Sequence, residues 1–275
     1  MMDAHLSSHG RFIWYELMTT DIEGAKAFYA DVVGWEVQNV APGTPYTLFS
    51  AGGVSIGGLS VLPQEVIDAG FTPGWLGYVG VDDVDAAAER IEQLGGTLYV
   101  PPKEIPEISR FAIAADPQMA TFAVLQWLKP NAAQPTELDA PSRVGWNELI
   151  AADWEQAWPF YCELFGWRKA EADTSDMGVY QRFSAGGITA GGMFTTPAKV
   201  PLAFWLYYFN VDDIELAGNR VNAEGGQILE GLIDVPGNKW MLQCMDPQGA
   251  MFALVGRRRH ADIGYFERVP RPGRR

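Results

Sequence analysis

The chain has 275 residues, 48% hydrophobic and 12% aromatic, with a formal net charge of −14. That length allows one large domain or two of about 130 residues. Cys162 and Cys244 exclude a disulfide framework or a four-thiolate zinc site and fit a reducing, cytoplasmic interior. The only histidines, His5, His9 and His260, lie near the termini and leave the middle of the chain without imidazole for a metal or a catalytic triad.

Charge is unevenly spread. Residues 257–275 carry seven arginines against Asp262 and Glu267, a net +5, so residues 1–256 carry about −19. Such a body repels phosphate backbones, which argues against nucleic acid as a partner. No apolar run of 18 residues exists and no basic-then-apolar leader opens the sequence, so neither a membrane span nor a secretory signal is expected. The Arg257–Arg259 run reads as a solvated tail that could contact an anion.

In chain order, an apolar strand ends at Asp21 and feeds a helix that stops at Gly34. Ala25, Phe28, Tyr29 and Val32 mark its 3.6-residue stripe. Short strands follow, YTLFSA (46–51) among them. A second strand ends at Val81-Asp82-Asp83 and feeds a helix before Gly95-Gly96, and TFAVLQWL (121–128) reads as a final strand. Asp21 and Asp83 are N-cap candidates. The same elements then return. WYELMTTDIEGAKAFYADVVGW (14–35) lies without a gap over WNELIAADWEQAWPFYCELFGW (146–167). FSAGG, VDD, the Gly-Gly pair and DPQ also recur, with offsets between 130 and 134. The repeat defines modules at 11–128 and 143–256, a linker at 129–142 and a basic tail at 257–275. Asp153 and Gln156 suit a capping box, while Pro159 predicts a bend in the helix it enters.

Each half-module reads β-α-β-β-β. Together, ELMTTDIEGAKAFYADVVGW, VDDVDAAAERIEQLGG, DPQMATFAVL and their second copies resemble the vicinal oxygen chelate superfamily of glyoxalase, bleomycin-resistance and extradiol-dioxygenase-like proteins. The resemblance implies an α+β fold of tandem glyoxalase-like modules, four βαβββ units forming two incomplete barrels around clefts. It also implies where metal-dependent members hold their ion. Those positions are Trp14, Leu76 and Ala123 in the first module and Trp146, Leu206 and Ala253 in the second, six side chains unable to ligate a divalent ion. No metal or other cofactor is expected, and metal-dependent glyoxalase or dioxygenase chemistry does not transfer.

Glu16 and Glu148 are the leading polar candidates. They share a strand face with Trp14 and Trp146. Each could accept a ligand hydrogen bond, act as a general base if burial raises its pKa, or serve only to pair nearby groups. Arg110 and Arg182, at non-equivalent positions, could clamp an oxyanion or sit on the surface. Trp14, Tyr46, Trp75 and Phe122, with Trp146, Tyr180, Trp205 and Phe252, could wall a flat ligand or pack the core. Trp35 and Trp167 read as anchors at helix exits, the cysteines as buried thiols, and AGGVSIGG with AGGITAGG as hairpins or close backbone passages.

The leading expectation is metal-independent binding of a small organic molecule in one or both clefts, by a monomer or homodimer. Two alternatives stand beside it: an isomerase or lyase using a cleft glutamate as base, and a structural or regulatory protein-interaction module.

Overall fold

The computed structural model describes residues 8–40, 46–129, 138–175, 178–196 and 202–259. His5, His260, most of the expected linker and nearly all of the expected basic tail lie outside them.

The first βαβββ unit comprises β1 (Phe12–Thr19), α1 (Ile22–Val33), β2 (Glu36–Asn39), β3 (Tyr46–Ala51) and β4 (Val54–Val61). A short helix, α2 (Gln64–Asp68), leads to the second, β5 (Gly74–Gly80), α3 (Val84–Gln93), β6 (Thr97–Ile105), β7 (Ser109–Ala115) and β8 (Thr121–Trp127). The second module repeats the plan with β9 (Val144–Ala151), α4 (Trp154–Phe165), β10 (Arg168–Ser175), β11 (Gly178–Ala185) and β12 (Ile188–Thr195). It finishes with β13 (Phe204–Val211), α5 (Ile214–Ala223), β14 (Gln227–Val235), β15 (Lys239–Met245) and β16 (Met251–Gly256).

Aspartates start the four long helices by accepting from otherwise unpaired backbone donors. Asp21 accepts from the Gly24 N–H at 3.0 Å, Asp83 from Asp85 and Ala86, Asp153 from Gln156, and Asp213 from Glu215 and Leu216. Gly34 and Gly166 close α1 and α4 with φ of 80° and 68°, a left-handed conformation that favours glycine. The capping box is only half made. Gln156 donates to the Asp153 side chain, but the Asp153 backbone N–H goes to Gln118 Oε1 of the other module. Helix α4 continues to Phe165 through Pro159.

Each module is one eight-stranded sheet, ordered β2-β3-β4-β1-β5-β8-β7-β6 and β10-β11-β12-β9-β13-β16-β15-β14. The two central strands run antiparallel, and each pairs in parallel with the last strand of its own unit. One face of each sheet carries the helices, and those helical faces meet: α1 packs on α5 and α3 on α4. A continuous apolar core therefore spans both halves, from Phe28, Tyr29 and Trp35 to Tyr161, Trp167 and Phe209. Fully burying each such side chain contributes roughly 1.5–3 kcal/mol.

Polar locks cross this core in pairs. Tyr29 OH donates to Asp246 at 3.0 Å, and Tyr161 OH to Asp116 at 2.9 Å. Each aspartate also accepts two backbone N–H groups inside its DPQ turn. Trp35 and Trp167 donate to the carbonyls of Ser142 and Gly10 respectively, each at a helix exit. The modules thus pair within one chain. Among the described residues, no helix is long and apolar enough to cross a membrane.

Candidate functional site

Strand alternation divides β1 between two environments. Tyr15 and Leu17 enter the shared core, whereas Trp14, Glu16 and Met18 lie on the helix-free face, beside a separate cluster built on Leu76, Tyr78, Ala123 and Leu125. Register brings the key positions together: Glu16 stands opposite Leu76, Trp14 opposite Tyr78, and Tyr78 beside Ala123. In module 2, Glu148 stands opposite Leu206, Trp146 opposite Tyr208, and Tyr208 beside Ala253.

On each helix-free face a tryptophan, two tyrosines and a glutamate form a hydrogen-bonded chain. Trp14 Nε1 donates to Tyr46 OH at 3.1 Å, and Tyr46 OH to Glu16 Oε2 at 3.2 Å. Tyr78 OH donates to the same oxygen at 3.1 Å, and Ser60 Oγ to Oε1 at 2.6 Å. In module 2, Trp146 Nε1 reaches Tyr180 OH at 2.7 Å, while Tyr180 and Tyr208 donate to the two oxygens of Glu148 at 2.8 and 2.7 Å. Glycine makes the crossing possible. A Cβ at Gly58 would overlap the Tyr46 ring, and one at Gly192 the Tyr180 ring, so each tyrosine lies flat over a glycine to reach its glutamate on the next strand.

Glu148 is only 5% exposed. Burial pushes its carboxyl above the ordinary value, opposed by the Tyr208 and Tyr180 hydrogen bonds and assisted by Glu230. Burial likewise raises Tyr46, Tyr78, Tyr180 and Tyr208, which stay protonated donors.

The sequence profile of the Glyoxalase/Bleomycin resistance protein/Dioxygenase superfamily matches residues 11–124 and 143–254. The chain belongs to this superfamily. It is similar to the putative glyoxylase CFP32 of Mycobacterium tuberculosis, 29% identical over 245 residues that cover 88% of this chain and 93% of the relative. It is also similar to the anthracycline biosynthesis protein DauV of Streptomyces sp. strain C5, 30% identical over 264 residues covering 88% and 91%. Among solved structures, the Mn(II)-bound glyoxalase from Novosphingobium aromaticivorans superposes with a TM-score of 0.61 at 16% identity, covering 90% of this chain and 82% of that one. The 2,3-dioxygenase LapB from Pseudomonas sp. KL28 gives 0.60 at 15%, covering 93% and 95%. At these identities the structures establish the fold alone.

The residues do not fit the superfamily's metal. Trp14, Leu76 and Ala123 come together on one helix-free face and Trp146, Leu206 and Ala253 on the other, but none carries a lone pair suited to a divalent ion. Among the described residues no three His, Cys, Asp or Glu side chains are grouped to hold one.

Several candidates lie elsewhere. Trp75 and Trp205 alternate with Leu76 and Leu206, and Phe122 and Phe252 with Ala123 and Ala253, so neither set shares a face with its neighbour. All four pack in the intermodule core, where Trp75 donates to Tyr29 OH at 2.8 Å and Trp205 to Tyr161 OH at 3.1 Å. Of the two readings, cleft wall or core packing, these four side chains take the second. Arg110 projects from the helix side and forms a two-pronged pair with Asp85 of α3, both distances 2.7 Å. Its fork is spent there and cannot clamp a cleft ligand. Arg182 does lie on the face of Tyr180 and Glu148, in the row Arg182–Gly192–Glu148, but turns toward Asp173 and Glu171 of β10. Cys244 is buried in the core with its thiol pushed up to about 12, and Cys162 is partly buried.

Sequence reasoning missed Tyr78, Tyr208, Ser60 and Trp127. The two tyrosines were detectable, since they repeat at an offset of 130 and lie two residues beyond Leu76 and Leu206. Trp127 lies on the module-1 helix-free face, its ring edge-on to Trp14 at 6.0 Å. Its Nε1 is buried and has no hydrogen-bond acceptor among the described residues. In the same module the segment after α2 carries Phe71 to Tyr99 on β6, ring centroids 5.8 Å apart.

Proposed function

We propose that the chain binds a small planar aromatic compound bearing a carbonyl oxygen in the module-1 cleft, without a metal. The observation that carries this reading is the Trp127 N–H, buried against an aromatic face with no acceptor among the described residues. An unpaired buried donor costs roughly 1–3 kcal/mol, and a ligand oxygen placed over it would recover part of that. Trp14, Phe111 and Met18 supply the apolar surroundings. Glu16 serves here as the anchor of Tyr46, Tyr78 and Ser60 rather than as a base, because both its oxygens already accept hydrogen bonds. Glu148 holds Tyr180 and Tyr208 in the same way. The Streptomyces relative named for anthracycline biosynthesis supports a polycyclic aromatic ligand.

Titration with a hydroxyanthraquinone, followed by quenching of tryptophan fluorescence, tests this reading. Saturable binding is expected, weakened roughly three- to tenfold in Trp127→Phe, which keeps an aromatic, though smaller, ring and removes the donor. Absence of binding by the native chain, or equal affinity in the variant, would overturn it.

A further inference from the structure

A cleft of about 400 Å3 opens at one end of the module-2 sheet. There β13 and β16 finish, β15 begins, and the segment before β9 passes. Four cations, Lys239, Arg257, Arg258 and Arg259, line it against two acids, Asp139 and Asp212. This local excess stands out on a chain of net charge −14, whose overall field repels anions.

Three of the cations are already engaged. Lys239 Nζ lies 2.8 Å from Asp139, and Arg259 lies 3.3 Å from Asp212. Arg258 pairs with Glu215 and rests 5.0 Å over the Trp240 ring. Arg257 differs. Its carbonyl accepts from the Ile214 N–H at 3.0 Å, which ties its backbone to the start of α5, but its guanidinium has no ion pair or hydrogen bond among the described residues. Val211, Val255 and Pro141 add an apolar wall.

The repeat supplies an internal control. Module 1 has Ser109 at the position of Lys239, and Trp127 and Leu128 at those of Arg257 and Arg258. The fold itself therefore does not require cations at this end of the sheet.

We propose that this cleft binds a small organic oxyanion, a carboxylate or phosphate monoester on an apolar body, with Arg257 as its principal anchor. The planar guanidinium offers two parallel donors to two oxygens of one anion. The volume suits a small molecule rather than a polymer. The site is separate from the module-1 cleft, so either proposal can fail without the other.

Isothermal titration of the full chain with phenyl phosphate and with benzoate, using benzyl alcohol as the neutral control, tests the assignment. At least one of the two anions is expected to bind at a single site, and the tighter one identifies the oxyanion class. Arg257→Gln should weaken that binding about tenfold. Lys239→Gln should weaken it less, because Asp139 shares the lysine's charge. A variant with Arg271, Arg274 and Arg275 changed to Gln should bind as the native chain does. The proposal is overturned if neither anion binds, if benzyl alcohol binds equally well, if Arg257→Gln leaves affinity unchanged, or if the loss follows the tail variant instead. An unaltered thermal midpoint in Arg257→Gln would confirm that its effect is local; if the midpoint falls, Lys239→Gln decides.

Discussion

The helix-free faces of the two modules share a tryptophan, two tyrosines and a glutamate, and diverge in what surrounds them. Module 1 gives Glu16 a third donor, Ser60, where module 2 has Phe194 stacked on Tyr180. Module 1 has Leu48 at the position of Arg182, and Trp127 at that of Arg257. Twelve residues, 62–73, join β4 to β5, against eight, 196–203, between β12 and β13. The longer connection includes α2 and brings Phe71 to Tyr99. The shared set is a scaffold in which a glutamate holds two tyrosines, one of them lying over a glycine of the intervening strand. The substitutions around it leave module 1 aromatic and module 2 more cationic, so duplication has kept the frame and altered the chemistry at its rim.

Several substitutions can break or sharpen that comparison. The largest effects should be alike in both halves: Trp35→Ala and Trp167→Ala each remove a buried ring from the shared core and should cost about 3–5 kcal/mol in urea unfolding. A loss confined to one variant would mean that the halves do not share that core equally. Next, Gly58→Ala and Gly192→Ala drive a methyl group into the ring of Tyr46 or Tyr180, with an expected loss of roughly 1–3 kcal/mol. Near-native melting of both would show that the tyrosines need not lie over the strands.

A subtler difference concerns pH. The folded Glu148 carboxyl holds its proton more tightly than the unfolded one, because burial raises its pKa above 4.5. The native state therefore binds more protons across that interval, and stability falls as pH rises from about 4.5 through the raised value, then levels off. Buried Asp116 and Asp246, also raised, act in the same direction from 3.8. Glu148→Gln should remove one share of this slope, read as a flatter plot of urea midpoint against pH. An unchanged slope would show that Glu148 is equally solvated in both states. The smallest effect belongs to Arg110→Gln, whose partner Asp85 is on the surface: the midpoint and any quinone affinity should hardly move.

Much of the architecture was legible because its signals are local and repeated. Asp21 and Asp153 start helices, Gly34 and Gly166 end them, and YTLFSA forms β3 over its full length. The positions of Trp14, Leu76 and Ala123 on one face were legible as well, through the family resemblance. Alternation on neighbouring strands was harder to apply. Naming Leu76 as a cleft position already places Trp75 on the opposite face, yet an aromatic strand reads equally well toward a core or a cleft. Arg110 was illegible for another reason: its partner Asp85 comes from a helix 25 residues earlier, a juxtaposition set by tertiary packing. The crossing tyrosines likewise gave no local sign that Tyr29 would find Asp246, 217 residues away.

Those crossings bear on what cutting the chain would do. Tyr29 reaches an aspartate in the second half and Tyr161 one in the first, so neither half holds the acceptor its own tyrosine uses. A protease that cleaved between residues 129 and 138 would sever the connection but leave the mutual grip intact. The nicked protein should elute as one species and melt in one transition, whereas either fragment made alone would present its aromatic interior to water and seek another copy to cover it.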